Sequence, residues 1–283
     1  MMQSSEERYV IQFPHPGREH RPDSSGHKAA TLSNDGHGRL FVEQPGGYVC
    51  DPDQRKATPD VLHFWCEWEC ESTRILTLPP GTQDGFPRNV FRPSIPRRQN
   101  WSELANTDPC VFGRVFRYCV CKMTGKMLAL APGSVILFGS KRNERFVLDT
   151  VFVVAGHVPY GASNWRTLNV EPQYRDVGLA PLFGGSGCAE DDRPLRLYEG
   201  ATLENTVGGM FSFFPCKRAS ESEGFSRPMI NLQGIVNPQL GMGLKIGQPV
   251  SLKTAERNWR AVAEQVLAAG LHLGVGAEFP QYS

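Results

Sequence analysis

Ser134-Val135-Ile136-Leu137-Phe138-Gly139 and Phe146-Val147-Leu148-Asp149-Thr150-Val151-Phe152-Val153-Val154, joined through a polar tip at Lys141 to Glu144, decide the fold class. Both runs are rich in β-branched and aromatic residues, which pack well on a pleated surface. A short polar link between two such runs predicts an antiparallel hairpin. Asp149 interrupts the second run. A carboxylate inside an apolar strand either faces water or meets a hydrogen-bond or charge partner, which makes Asp149 a candidate site residue.

Working outward, Arg8 to Phe13 reads as a strand stopped by Pro14, and 39–42 with 47–50 as a short hairpin turning at Gln44-Pro45-Gly46-Gly47. Leu62 to Ser72 fits a strand with Phe64, Cys66, Trp68 and Cys70 on one face. The other face carries His63, Trp65, Glu67, Glu69 and Glu71. Val115 to Cys121 is strand-like. Downstream, 194–198, 207–214 and 230–236 read as further short strands. Thr254 to Ala269 is an amphipathic helix with Trp259, Val262, Ala263, Val266 and Leu267 as its apolar stripe, Thr254 as a cap and Gly270 as its terminator. The expected fold is α+β, a predominantly antiparallel, barrel-like β core with a C-terminal amphipathic helix. It is read as one domain over 1–283, with 9–154 as the core and 155–283 as a second half packed on the same sheet system.

The chain has 283 residues, 40% hydrophobic and 21% charged, with a net charge of +1. That balance is typical of globular proteins and excludes a global field drawing the molecule onto nucleic acid or membrane. Any nucleic-acid surface must be a local patch. The 22 prolines and 29 glycines imply many turns and short elements rather than a helical bundle. No apolar run approaches a membrane span, and Met1 to Arg8 lacks a signal-like apolar segment. A cytoplasmic monomer without cofactor or metal is expected. The eight cysteines show no paired CxxC spacing and read as reduced thiols, a zinc site using Cys66 and Cys70 being the alternative. No P-loop, dinucleotide fingerprint, G-x-S-x-G or H-E-x-x-H occurs.

Four places could carry chemistry. His15-Pro16-Gly17-Arg18-Glu19-His20 follows the first strand and offers His15, Glu19 and His20 for acid/base work, metal binding or loop hydrogen bonds. If its face meets a pocket, Trp65 supplies a stacking plane, and Glu67 or Glu69 an acceptor for an amine or hydroxyl. Otherwise that face is a charged edge. Between Phe86 and Trp101, Arg88, Arg92, Arg97 and Arg98 alternate with Phe86, Phe91 and Trp101 without an acidic residue. That pattern suits phosphate contacts with base stacking, or else pairing with nearby glutamates. Asn106-Thr107-Asp108-Pro109 is either an Asx-type turn or a pocket wall. In the second case Asp108 would stabilise positive charge on a sugar and Asn106 would hold a water. Gly113 would allow a ligand to approach the backbone closely.

Four blocks together resemble a bacterial protein family with no established activity. They are Tyr9 to His20 (with His15-Pro16-Gly17-x-Glu19-His20), Phe64-Trp65-x-Glu67-Trp68-Glu69-x-x-Ser72, Asn106-Thr107-Asp108-Pro109-x-Val111-Phe112-Gly113, and Gly133 to Val154. They span roughly half of the chain. The chain is also more loosely similar to bacterial anti-phage DNA glycosylases, which remove hypermodified cytosine from viral genomes. It departs from those enzymes in lacking a helix-hairpin-helix with a following Asp. Of the uracil-glycosylase water-activating motif it shares only Asp108-Pro109.

The resemblance implies a DNA N-glycosylase that flips a modified base out of double-stranded DNA and hydrolyses its glycosidic bond. Asp108 and Asn106 would be catalytic. Trp65, Glu67, His15, Glu19, His20 and Phe112 would hold the base, and Arg88, Arg92, Arg97 and Arg98 the phosphates. Asp149 and Glu69 are secondary candidates. Alternatives are a non-catalytic reader of modified bases, a metal-dependent hydrolase built on His15, Glu19 and His20, and a purely structural protein.

Overall fold

The computed structural model describes residues 6–14, 39–81, 85–97, 106–142, 145–183, 195–236 and 244–283. In chain order the strands are β1 (Val10–Pro14), β2 (Arg39–Val49), β3 (Thr58–Glu67), β4 (Ser72–Thr77), β5 (Asn89–Pro93), β6 (Arg117–Tyr118) and β7 (Val135–Arg142). They continue as β8 (Arg145–Tyr160), β9 (Leu195–Gly200), β10 (Phe214–Arg218), β11 (Met229–Ile230), β12 (Lys245–Ile246) and β13 (His272–Ala277).

The hairpin expected from the sequence is β7 against β8, antiparallel, with Val135 opposite Val153 and Phe138 opposite Thr150. Its alternation explains its position. Ile136, Phe138, Phe152 and Val154 enter one apolar core, whereas Val135, Leu137, Val151 and Val153 enter a second on the opposite face. Burial on both faces accounts for the nearly continuous apolar character of the two strands. They belong to a sheet ordered β12-β1-β7-β8-β9-β6, with β11 added on β8. The other sheet runs β13-β10-β3-β2-β5-β4. Because β13 also pairs with β2, the strands β13, β10, β3 and β2 close into a circuit. Among the described residues only the strand pairs β1 with β7 and β2 with β5 run parallel. The fold is α+β and mainly antiparallel, as expected.

Several local expectations change. The Gln44-Pro45-Gly46-Gly47 stretch is no turn: β2 runs straight through it, pairing with β3 from Arg39↔Glu67 to Tyr48↔Thr58. On its other side β2 meets β5 at Val42 and β13 from Gly46 onward, so Pro45, which has no N–H to donate, falls in the gap between those partners. Gly46 permits the crossing, since a Cβ there would lie 2.4 Å from the Gly276 carbonyl oxygen. The strand from Leu62 stops at Glu67, and its second face is buried, with Glu67 3% and Glu69 1% exposed. A charged solvent edge is therefore excluded. The Val115–Cys121 run contributes only the two residues of β6, and 230–236 only Ile230 of β11.

The C-terminal helix spans Leu252–Ala268. Its cap is Ser251 rather than Thr254: the Ser251 Oγ accepts the Thr254 N–H at 3.1 Å. Trp259, Val262, Ala263 and Val266 are buried, and the Trp259 Nε1–H donates to the Phe211 carbonyl at 2.9 Å. Gly270, at φ +74°, ends the helix as the sequence implies. No helix among the described residues is long and apolar enough to cross a membrane.

Gly113 has a close neighbour within the chain. It adopts φ +91°, donates its N–H to Ala277 at 2.8 Å, and a Cβ would lie 2.5 Å from the Phe279 ring. We expect Gly113→Ala to cost roughly 1–3 kcal/mol from backbone strain, with the displaced ring adding to it. An unchanged urea midpoint would exclude this reading of the contact.

Candidate functional site

The Asn106-Thr107-Asp108-Pro109 turn is anchored by its own carboxylate. Asp108 is fully buried; its Oδ1 accepts the Cys119 N–H at 2.8 Å, and its Oδ2 accepts those of Val120 at 2.9 Å and Cys121 at 2.8 Å. Burial pushes the Asp108 carboxyl up, while these three amides favour the charged form. Asn106 directs its Nδ2 at the Cys119 Sγ, 3.8 Å away, and the Tyr160 hydroxyl donates to the Cys119 carbonyl at 2.9 Å. The geometry is that of a carboxylate tying one turn to another. Neither Asp108 nor Asn106 lines the cleft described below.

The other sequence candidates scatter. Phe112 is a core residue, with its ring against Phe64, Trp68 and Phe279. Glu69 is buried, and its backbone N–H donates to the Thr107 Oγ1 at 3.2 Å. Arg88 and Arg97 are exposed, whereas Arg92 pairs with Glu43 at 2.8 Å, which also meets His63 at 3.2 Å. His15, Glu19, His20 and Arg98 lie outside the described residues. Among the described residues no three His, Cys, Asp or Glu side chains group as metal ligands, and no disulfide forms.

Trp65, Glu67 and Asp149 do converge, around two arginines that the sequence did not single out. Arg39, at the start of β2, donates from Nε to Asp149 Oδ2 and from Nη1 to Glu67 Oε2, each at 2.7 Å. Arg227 donates from Nη1 to Asp149 Oδ1 at 2.7 Å and to Ser140 Oγ at 2.8 Å. All four ionised side chains are at least 95% buried. Burial works against the Arg39 charge, but Asp149 and Glu67 outweigh it and its pKa moves up. Burial raises the Asp149 carboxyl, and Arg39 opposes that rise. Burial also pulls Arg227 down to about 9, which leaves it protonated at neutral pH. The odd carboxylate in the apolar strand is thus matched by Arg39 from the other sheet and by Arg227 from the segment preceding β11.

Arg227 forms part of a cleft of about 980 Å³. One wall is the β4–β5 connection, with Pro79, Pro80 and Phe86; the facing wall is the segment Glu223 to Met229, and Arg142 and Lys217 also line the space. The walls meet at Gly224, at φ +94°, where a Cβ would lie 2.8 Å from Leu78 and 2.9 Å from the Phe86 ring. Behind the second wall, the Trp65 Nε1–H donates to the Phe225 carbonyl at 2.8 Å, and the Arg227 guanidinium stands 5.9 Å from the Trp65 ring centre. Trp65 supports the wall from within and offers no stacking plane to a ligand. Arg142, Lys217, Glu223 and the half-buried Phe86 in one concave space suit an anionic ligand with an aromatic part, whereas Phe225 packs its ring on Phe41 and Arg227 is held by Asp149.

No known protein-family model, no curated protein and no solved structure matches this chain.

Proposed function

We propose that the protein binds nucleic acid and reads a modified base in this cleft without excising it. The observation that carries the proposal is the cleft itself. Its volume of about 980 Å³ falls in the range of small-molecule sites, and the half-buried Phe86 stands in it with Arg142 and Lys217. Exposed Arg88 lies on the same β4–β5 connection as Phe86, where a phosphate flanking a flipped nucleotide would pass, whereas Arg92 on β5 is paired with Glu43. Excision was expected to run through Asp108. With both oxygens bound to backbone amides, that carboxylate is in no position to serve a sugar in the cleft, and this favours a reader over a glycosylase.

The test is to incubate the purified protein with unmodified duplex DNA and with phage DNA carrying hydroxymethylated or glucosylated cytosine. Mobility shift reports binding, and an aldehyde-reactive probe counts abasic sites. Preferential retention of the modified DNA with no abasic sites is expected. Abasic sites in the modified DNA would overturn the reader in favour of excision, and absence of both effects would remove nucleic acid as the ligand.

A further inference from the structure

Beside the cleft lies a smaller hollow of about 360 Å³ that shares Phe86, Lys217, Glu223 and Gly224 with it. The rest of its lining, Ser220, Glu221 and Ser222, comes from the turn that follows β10. Two glycines make room for the Phe86 ring: a Cβ would lie 2.1 Å from it at Gly81 and 2.9 Å at Gly224. The charges around the hollow balance. Arg218 takes up Glu221, its Nε–H donating to the Glu221 Oε2 at 2.9 Å. That leaves one cation, Lys217, and one anion, Glu223, neither in an ion pair among the described residues. The exposed Ser220 hydroxyl has no partner among them either. The Ser222 Oγ accepts the Gly224 N–H at 3.2 Å and keeps its own proton to donate. A phosphate needs an excess of positive charge, and an alkyl group would leave these donors and acceptors unmatched on displacing their water. A balanced set of hydroxyls, a carboxylate and an ammonium beside an aromatic ring matches a neutral ligand with a rim of hydroxyls and an apolar C–H face. A hexose has both.

We propose that the hollow is a sugar subsite, holding a hexose carried by the modified base while the base itself occupies the larger space. Glu223 and Ser220 meet the sugar hydroxyls, and Phe86 meets its C–H face. The inference rests on the reading of the cleft as a nucleic-acid site, and it narrows the ligand from modified bases to glycosylated ones.

The experiment measures affinity for duplexes of one sequence carrying cytosine, hydroxymethylcytosine or glucosylated hydroxymethylcytosine, at several salt concentrations. The glucosylated duplex is expected to bind about 10- to 100-fold tighter than the hydroxymethylated one, the scale of hydrogen bonds to a charged acceptor. That margin should not change with salt, because a neutral sugar releases no counterions. Glu223→Ala and Ser220→Ala alter exposed side chains, so a chain carrying both should fold. The double variant is expected to lose the margin. It should bind hydroxymethylated DNA at least as tightly as wild type does, since removing Glu223 takes away a negative charge. Equal wild-type affinity for the two modified duplexes, or a margin that survives the double variant, would overturn the sugar subsite and leave the nucleic-acid reading standing. Absence of wild-type binding to all three duplexes at every salt concentration would overturn that reading, and the subsite with it.

Discussion

Asp149→Asn is expected to lower the free energy of unfolding by about 3–5 kcal/mol, the cost of breaking a buried ion pair by removing one partner. The carboxylate serves two guanidiniums at 2.7 Å each, so its neutralisation leaves Arg39 and Arg227 facing Glu67 alone, one uncompensated positive charge in the interior. The Asn side chain preserves volume, and the loss would therefore be electrostatic rather than a cavity effect. Adding Arg227→Gln restores equal numbers of buried charges and is expected to recover part of the loss. Urea unfolding with an unchanged m-value checks both statements. A loss under about 1 kcal/mol for the single variant, the range of surface pairs, would show that water screens the group.

Asp108→Ala is expected to cost about 3 kcal/mol or more. Three backbone N–H groups, of Cys119, Val120 and Cys121, lose their acceptor together, and each buried donor left unmade costs roughly 1–3 kcal/mol. Cys119 is fully buried and the other two are half-buried, which places the sum toward the low end of that range. Asp108→Asn keeps one carbonyl acceptor and should fall between wild type and Ala. Amide hydrogen exchange at 119–121 locates the effect, since those three protons should exchange faster before the rest of the molecule does. If instead Asp108→Asn unfolds at the wild-type urea concentration and abolishes an activity on DNA, the residue acts chemically and its anchoring role here is secondary.

The hairpin β7–β8 was legible because its strands pair locally and announce themselves by composition, and the C-terminal helix because its period is regular. The passage of β2 through Pro45-Gly46-Gly47 was not. Those residues normally signal a turn, and they stay extended because β3 pairs along one side and β13, more than two hundred residues later, closes on the other from Gly46. In the site, a single carboxylate within an apolar strand flagged Asp149, and the carboxylate-bearing face beside Trp65 flagged Glu67; the two did converge. Their partners were hidden for different reasons. Arg39 opens a strand and carries no pattern, and Arg227 lies in an irregular segment whose cue is its mixture of Phe225, Arg227 and Pro228. The Asn106–Asp108 turn read equally well as a turn or as a pocket wall, and the hydrogen bonds from 119–121 that distinguish the two join residues 11 to 13 positions apart, without a sequence period.

The circuit formed by β13, β10, β3 and β2 also sets a schedule. β2 and β3 are synthesised early, yet the β2 stretch Gly46–Val49 finds its second partner only in β13, whose first residue, His272, follows Val49 by more than two hundred positions. At about 5–20 residues per second, ribosomal synthesis leaves that stretch of strand edge open for roughly 10–45 s. An unpaired edge beside Tyr48 and Val49 is a template for other chains during that interval. Newly made chains should depend on chaperone shelter more than the finished molecule's closed circuit suggests, and slowed translation before His272 should lower the soluble yield.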